Sequence, residues 1–224
     1  MTSSVGAPAA TTSSINVVIC DDHTLLADGL ATLLNAEPDI EVVGVAGCVS
    51  ELLDLARIAP PDVVLLDYEL PDGNGVAATS ALKRAHPETK VVMLTSFTKE
   101  AVLVAAMEAG CSGYLTKHNA ASIVVDGVRS VASGEALISS DMLRRLLPRL
   151  SHSSRGVGSD LTPRELEVLE LMATGASSRA IADTLFVSTN TLRNHAQSIL
   201  NKLGAHSRLE AVSTAVREGL IHRT

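Results

Sequence analysis

The sequence predicts an α/β domain built on a five-stranded parallel sheet, followed by a small all-α domain. Three observations carry this expectation. Short β-branched runs recur along the first half: "INVVIC" (15–20), "IEVVGVA" (40–46), "DVVLLD" (62–67), "KVVMLT" (90–95) and "SGYLT" (112–116). Stretches with helical spacing lie between them, and such alternation implies right-handed parallel crossovers with helices on both faces of the sheet. Beyond about residue 133 the alternation stops, and from residue 161 every signal is helical.

Taken in order, residues 1–14 ("MTSSVGAPAATTSS") lack a basic start and an apolar core. They read as a disordered arm rather than a secretory signal. The first strand is followed by "HTLLADGLATLLNAE", whose spacing places Leu26, Leu30, Leu33 and Leu34 on one helical face. "KEAVLVAAMEAG" ends at Gly110, a natural helix stop. The runs at 62–67 and 90–95 are nearly continuous in apolar residues, as a sheet covered on both faces requires. Residues 15–134 are thus expected to form one domain. Residues 135–157 form a linker, in which "SSDMLRRLLPRL" (139–150) predicts a short amphipathic helix interrupted by Pro148, and polar "SHSSRGVGSD" (151–160) follows. The last domain spans 158–224. In "LTPRELEVLELMATG", Thr162 is the expected N-cap, Pro163 the first helical residue, Glu165 the capping partner three residues on, and Gly175 the stop. "SSRAIADTLFVS", "TNTLRNHAQSILNKLG" and "SRLEAVSTAVREG" complete four short helices.

Composition narrows the function classes. Of 224 residues, 46% are hydrophobic and only 2% aromatic, so the core must be aliphatic and stacking platforms for single-stranded nucleic acid are few. The net charge of -7 argues superficially against a nucleic-acid partner, but it is unevenly distributed. Residues 1–159 hold 11 Lys/Arg against 18 Asp/Glu, whereas residues 160–224 hold 7 of each. An acidic half joined to a neutral half is compatible with DNA binding by the second half. Cys20, Cys48 and Cys111 are widely spaced with no CxxC, which fits reduced, buried thiols in a cytoplasmic protein. No apolar run approaches the ~18 residues that span a membrane.

The candidate site lies where parallel α/β sheets gather function, at the carboxyl ends of the strands. Strand one ends in Asp21-Asp22, the strand "DVVLLD" in Asp67, "KVVMLT" in Thr95, and the last strand just before Lys117. Singly, each has an ordinary explanation: a helix cap, a turn-starting acid, a loop hydroxyl, a solvated lysine. Four at one rim form a coherent set. Three carboxylates around one point make an oxygen-rich site suited to Mg²⁺. One carboxylate can attack a phosphorus centre to give an acyl phosphate. The metal and a lysine ammonium neutralise the phosphoryl oxygens, and a hydroxyl such as that of Thr95 can bond to one of them.

"DDH" at 21–23, "DYELPDGNG" around Asp67, "LTS" at 94–96 and "GYLTK" at 113–117 resemble the receiver domain of bacterial two-component response regulators. The stretch from Leu161 to Val212 resembles the LuxR-type helix-turn-helix of the NarL/FixJ subfamily. The resemblance covers about residues 15–134 and 158–220. It implies a (βα)5 flavodoxin-like receiver and a non-enzymatic transcription regulator. Asp67 would be the phosphoacceptor, Asp21 and Asp22 the acidic pair supporting Mg²⁺, and Glu69 a metal ligand through its backbone carbonyl. Thr95 would be the switch hydroxyl, Tyr114 the aromatic that turns inward when Thr95 moves, and Lys117 the phosphate-contacting lysine. Pro71 and Gly73 shape the adjacent loop. His118 and Cys111 depart from the usual pattern, and Glu69 adds a charge beside the site. A sensor histidine kinase, promoter DNA and a second copy of the chain are the implied partners, with RNA polymerase as a further candidate.

In "STNTLRNHAQSILNKLG" (188–204), Ser188 is a good N-cap. Leu192, Ala196, Ile199 and Leu203 fall on one side, which must be core. Asn190, Arg193, Asn194, Gln197 and Asn201 fall opposite, without an acid among them, and Arg, Asn and Gln are the side chains that pair with base edges in the major groove. The resemblance makes this the recognition helix. Ser188, Thr191 and Lys202 complete the expected DNA-contacting set, while His195 sits at the edge of the buried side. The receiver is expected to lie over this helix, and phosphorylation to release it for dimeric binding, aided by the final helix at 207–218.

Two other classes compete. A haloacid-dehalogenase-like enzyme also uses a strand-end Asp, but Glu69 only partly mimics its second acid and the C-terminal domain would be unexplained. A phosphorylation-independent regulator would use the receiver as a dimerisation platform. A P-loop enzyme is excluded because no GxxxxGK[ST] follows strand one.

Overall fold

The computed structural model describes residues 14–96, 100–117, 121–138, 143–144 and 160–221. The chain runs β1 (Ile15–Cys20), α1 (Thr24–Asn35), β2 (Ile40–Ala46), α2 (Val49–Ile58), β3 (Val63–Asp67), β4 (Glu69–Leu70), β5 (Gly73–Asn74), α3 (Gly75–Ala85), β6 (Lys90–Thr95), α4 (Glu100–Glu108), β7 (Gly113–Thr116) and α5 (Ala121–Ala132). Four further helices follow: α6 (Pro163–Ala173), α7 (Ser178–Leu185), α8 (Thr189–Leu203) and α9 (Arg208–Arg217). The expected arm at 1–14 and most of the linker lie outside the described residues. Of the helix expected over 139–150, only Leu143 and Arg144 are described, and Leu143 is buried.

The five long strands pair in parallel in the order β2-β1-β3-β6-β7. Strand order reverses between β1 and β3, which creates a crevice at their carboxyl ends. Alternate residues serve opposite faces. Val17 and Ile19 join Leu34, Leu65, Val92 and Val128 in one core, whereas Val18 and Cys20 join Leu52, Leu66, Leu82 and Met93 in the other. This double burial explains why β3 is entirely buried. The edge strand β2 departs from it: its burial alternates, with Val43 and Val45 exposed, and its register to β1 shifts between Val17 and Val18.

Helix α1 carries its leucines on one side as expected: Leu34 is fully buried with Ala27, and Leu26, Leu30 and Leu33 are half-buried, while Leu25 is exposed. Leu30 and Leu33 pack against the core that Ala27 and Leu34 enter. Two of the thiols are buried as expected, and all three are free. Burial pushes Cys20 up to about 12 and Cys111 up to about 11, so both stay protonated. Cys48 is only half-buried, at the start of α2.

The C-terminal helices form as their caps dictate. Thr162 and Glu165 make the reciprocal capping box, with Pro163 at the first turn. Ser177, Ser188 and Ser207 each cap the helix that follows through their side chains. On α8, Leu192, Ala196, Ile199 and Leu203 are buried, which is the predicted set. This core is continuous with the one beneath α2, α3 and α4.

Gly75 fixes the loop that leaves β3. A Cβ placed there would stand 2.6 Å from both the Asp67 carbonyl oxygen and the Met93 sulfur. The chain therefore passes so close to the strand end that only glycine fits. Gly75→Ala should cost about 1–3 kcal/mol in denaturant unfolding, because backbone and a buried sulfur must both shift. Unchanged stability would show that the loop is not held by this approach.

Candidate functional site: an acidic strand rim and an exposed helix face

Register brings the rim together. Cys20 pairs with Leu66, so Asp21 and Asp67 stand side by side one residue further on. Asp67 pairs with Leu94, and Thr95 pairs with Thr116, which carries Lys117 to the same rim. Backbone bonds continue past the ladders: Lys117 N–H donates to Thr95 O at 2.9 Å, and Tyr68 N–H to Leu94 O at 3.1 Å.

The side chains then meet. Lys117 Nζ lies 2.7 Å from Asp21 Oδ2 and 2.8 Å from Asp67 Oδ2. Asp21 and Asp67 are buried, and the lysine side chain is 10% exposed. Burial raises the Asp67 pKa, the Lys117 hydrogen bond opposes it, and the Asp21 charge raises it again; the net direction is up. For Lys117, burial disfavours the charge, yet the adjacent Asp21 and Asp67 carboxylates outweigh it and raise its pKa.

Ligand atoms of Asp21, Asp22, His23 and Asp67 lie within 4.8 Å of one another. Asp21 Oδ2 is buried and accepts no well-directed hydrogen bond, although the lysine ammonium is near. A second cation fits this donor set, and its carboxylate oxygens suit Mg²⁺. His23 was not among the predicted site residues. Its Nδ1 lies 2.7 Å from Asp22 Oδ1, and its backbone N–H donates to Asp21 Oδ1 at 2.9 Å, so it orients the acidic pair. Its position directly after the two acids was the available signal.

The other predicted residues are placed as follows. Thr95 is buried at the end of β6. Glu69 lies exposed in β4, whose antiparallel pairing with β5 forms a small hairpin over Pro71 and Asp72. Asp72 was another omission. Its carboxylate accepts from Val49 N–H at 2.7 Å and Ser50 N–H at 2.9 Å, capping α2, where Cys48 supplies no side-chain cap. Tyr114 lies inward in this structure, buried in the core with Met93 and Met107, and its hydroxyl has no hydrogen-bond partner among the described residues. His118 lies outside the described residues.

On α8, Asn190, Thr191, Arg193, Asn194, Gln197 and Asn201 are all exposed. Ser188 accepts from Thr191 N–H at 3.0 Å, and the two hydroxyls lie 2.8 Å apart, so both belong to the helix start. Lys202 is engaged within its own domain: its ammonium lies 2.8 Å from Glu165 Oε2 and donates to Asp160 O. Attraction to a buried carboxylate explains this position. Receiver residues Glu88, Lys90 and Glu135 face Arg193 and Gln197 of the recognition helix across an open cleft, so the expected overlay is present in part. The direct contact is with α9: Ser207 Oγ donates to Cys111 O at 2.8 Å, and Arg217 lies 3.8 Å from Glu108. Small residues in α9 (Ala211, Ser213, Thr214, Ala215) make that close packing feasible.

The fold thus joins an acidic, lysine-bridged strand rim to a helical unit with an acid-free polar face. The description "Response regulator receiver domain" matches residues 17–129, and "Bacterial regulatory proteins, luxR family" matches residues 159–215. The chain is 36% identical over 210 residues to the transcriptional regulatory protein LiaR of Bacillus subtilis, covering 93% of this chain and all of that one. It is 34% identical over 208 residues to the response regulator VraR of Staphylococcus aureus, covering 93% and 99%. A crystal structure of the response regulator ChrA, from a heme-sensing two-component system, matches with TM-score 0.51 and 32% identity over 93% of this chain and all of that one. The chain therefore belongs to the two-component response regulators, as a receiver domain joined to a LuxR-type DNA-binding domain. No described helix is long and apolar enough to cross a membrane.

Glu165 links cap and core. Burial opposes its ionisation, but Lys202, Ser198 and Thr162 donate to it and hold its pKa at about 2. Its folded value is depressed, so its stabilisation is present above the ordinary value near 4.5 and is lost as pH falls toward 2. Glu165→Gln should lower stability at pH 7 by about 1 kcal/mol. In thermal melts, its difference from the native chain should shrink across that acidic range. A difference independent of pH would contradict the charged brace.

Proposed function

We propose that the chain is a transcription regulator in which Asp67 accepts a phosphoryl group from a sensor histidine kinase. The observation that carries this reading is the buried Asp67 carboxylate, held 2.8 Å from Lys117 at a rim shared with Asp21 and Thr95. A carboxylate placed there is directed and accessible from one side, as a nucleophile requires.

Asp67 Oδ attacks phosphorus, and the bond to the donor group breaks, leaving an acyl phosphate on the aspartate. Asp21, Asp22, Asp67 and the Glu69 carbonyl would hold Mg²⁺, which would supply charge neutralisation for the phosphoryl oxygens. Lys117, already shared between Asp21 and Asp67, follows the new negative charge and contacts a phosphoryl oxygen. Thr95 donates its hydroxyl to another. The shift of Thr95 changes the packing space beside Tyr114, whose inward ring lies in the core shared with α4. Tyr114 thus acts in this reading by repacking within the core rather than by entering it.

The output lies in α8 and α9. Arg193, Asn194, Gln197 and Asn190 read base edges in promoter DNA, while Ser188 and Thr191 contact phosphates at the helix start. A single copy has no net positive charge in its last 65 residues to strengthen phosphate binding, so two copies on neighbouring half-sites are needed. Repacking of α4 releases α9 from its contact at Cys111 and Glu108, and the freed helix joins a dimer. RNA polymerase is the further partner at the promoter. The location that suits these partners is the cytoplasm.

Incubation with acetyl phosphate and Mg²⁺ should add one phosphoryl mass to the native chain and none to Asp67→Asn. Addition to both chains would place the acceptor elsewhere. In a binding assay, Arg193→Ala should weaken binding to specific promoter DNA by about 1–3 kcal/mol and relax base preference at one position of each half-site. Uniform weakening across sequences would make Arg193 a phosphate contact instead.

A further inference from the structure

Between the receiver and the recognition helix lies a cleft of about 420 Å³. Its wall carries Lys90 at the start of β6, Ser112 before β7, Arg193 on α8 and Arg208 at the start of α9. Glu88 and Glu135 are the acids that share it. Three cations thus face two carboxylates in a chain whose overall charge is -7. None of the three makes an ion pair with a described residue.

Arg208 is the informative member. It is half-buried, and no described residue accepts a hydrogen bond from its guanidinium. Loss of hydration lowers its pKa; Glu135 opposes this from beyond ion-pair distance, and nearby Arg193 adds to it. A guanidinium removed from water without an acceptor is costly unless a ligand supplies one. Ser112 gives an independent sign. It is 5% exposed, lines the same cleft, and its Oγ has no hydrogen-bond partner. An unpartnered guanidinium and a residue with an unpartnered buried hydroxyl therefore line one open cleft.

We propose that this cleft binds a small phosphate-bearing anion. Arginine forks match phosphate oxygens bidentately, and the lysine ammonium supplies a further donor. Arg208 opens α9, so the positive end of that helix adds to the field. The volume suits an anion of pyrophosphate size up to a nucleotide, and a DNA duplex is too wide to enter it. The bound anion ties the receiver to α8 and occupies Arg193. It therefore holds the regulator in its compact arrangement and competes with DNA. That consequence rests on the proposed role of Arg193; the binding itself does not.

The test is isothermal titration of the full chain with inorganic pyrophosphate, at fixed ionic strength and in EDTA so that no metal recruits the anion to the acidic rim. Saturable one-to-one binding is expected. Arg208→Gln should weaken it about tenfold or more. Lys90→Gln, a change near the protein surface, should weaken it less and guards against a folding defect in the first variant. Asp67→Asn should bind as the native chain does. Absence of saturation, unchanged affinity in both Arg208→Gln and Lys90→Gln, or loss of binding in Asp67→Asn would each overturn the proposal. So would protection of Arg193 from chemical modification by duplex DNA but not by pyrophosphate. The titration contains neither DNA nor phosphodonor, so failure of the phosphorelay reading leaves its outcome legible.

Discussion

One ammonium group organises the receiver. Lys117 stands between two buried carboxylates, within 2.8 Å of each, and balances charges that would otherwise repel at the end of the central strands. The sheet makes this possible because β1, β3, β6 and β7 all end at one rim in matched register. Without the lysine, Asp21 and Asp67 would be a like-charged pair in a low-dielectric site, and one would take up a proton. With it, two carboxylates share a single ammonium, which leaves the rim able to take further positive charge. That residual capacity for positive charge is what a metal and a phosphoryl group would meet.

Much of this was legible in the sequence for a physical reason. A doubly covered parallel sheet demands apolar runs, so a carboxylate at the end of such a run stands out. The buried side of α8 was equally clear, because Leu192, Ala196, Ile199 and Leu203 follow the helical period without interruption. What was not legible concerns features that periodicity does not encode. The leucines of α1 follow the helical period, but that Ala27 is buried more completely than Leu26, Leu30 or Leu33 is set by the packing and not by the period. Lys202 looks like a DNA contact on a helical wheel, and only the tertiary fold reveals Glu165 beside it. Asp72 reads as a turn residue, and its service to α2 depends on two loops meeting. The exposed Phe186 adopts a left-handed conformation at the end of α7, a position that favours glycine and that the sequence alone does not disclose.

The two domains touch directly through α9 and its cap, while the DNA-reading face looks onto the receiver across an open cleft. Ser207 caps α9 by accepting from Glu210 N–H and also donates to the carbonyl of Cys111. Gly110 permits the approach, for a Cβ there would stand 3.1 Å from Lys83 and 3.2 Å from Glu210. Its φ of +94° also ends α4 in a conformation that suits glycine. The same short turn therefore terminates the helix nearest the proposed switch and docks the helix proposed to dimerise. A change in α4 packing would reach α9 directly, with no need for a longer route through the molecule.

The central claim is that Lys117 and Thr95 close on an oxyanion built upon Asp67. A crystal structure of the chain with Mg²⁺ and beryllofluoride, a stable mimic of an acyl phosphate, tests it most directly. The account predicts beryllofluoride on an Asp67 carboxylate oxygen, with the Lys117 ammonium and the Thr95 hydroxyl in hydrogen-bond contact with separate fluorines and the metal among Asp21, Asp22 and Asp67. An adduct on another carboxylate, or one on Asp67 with Lys117 still bound only to Asp21, would contradict it.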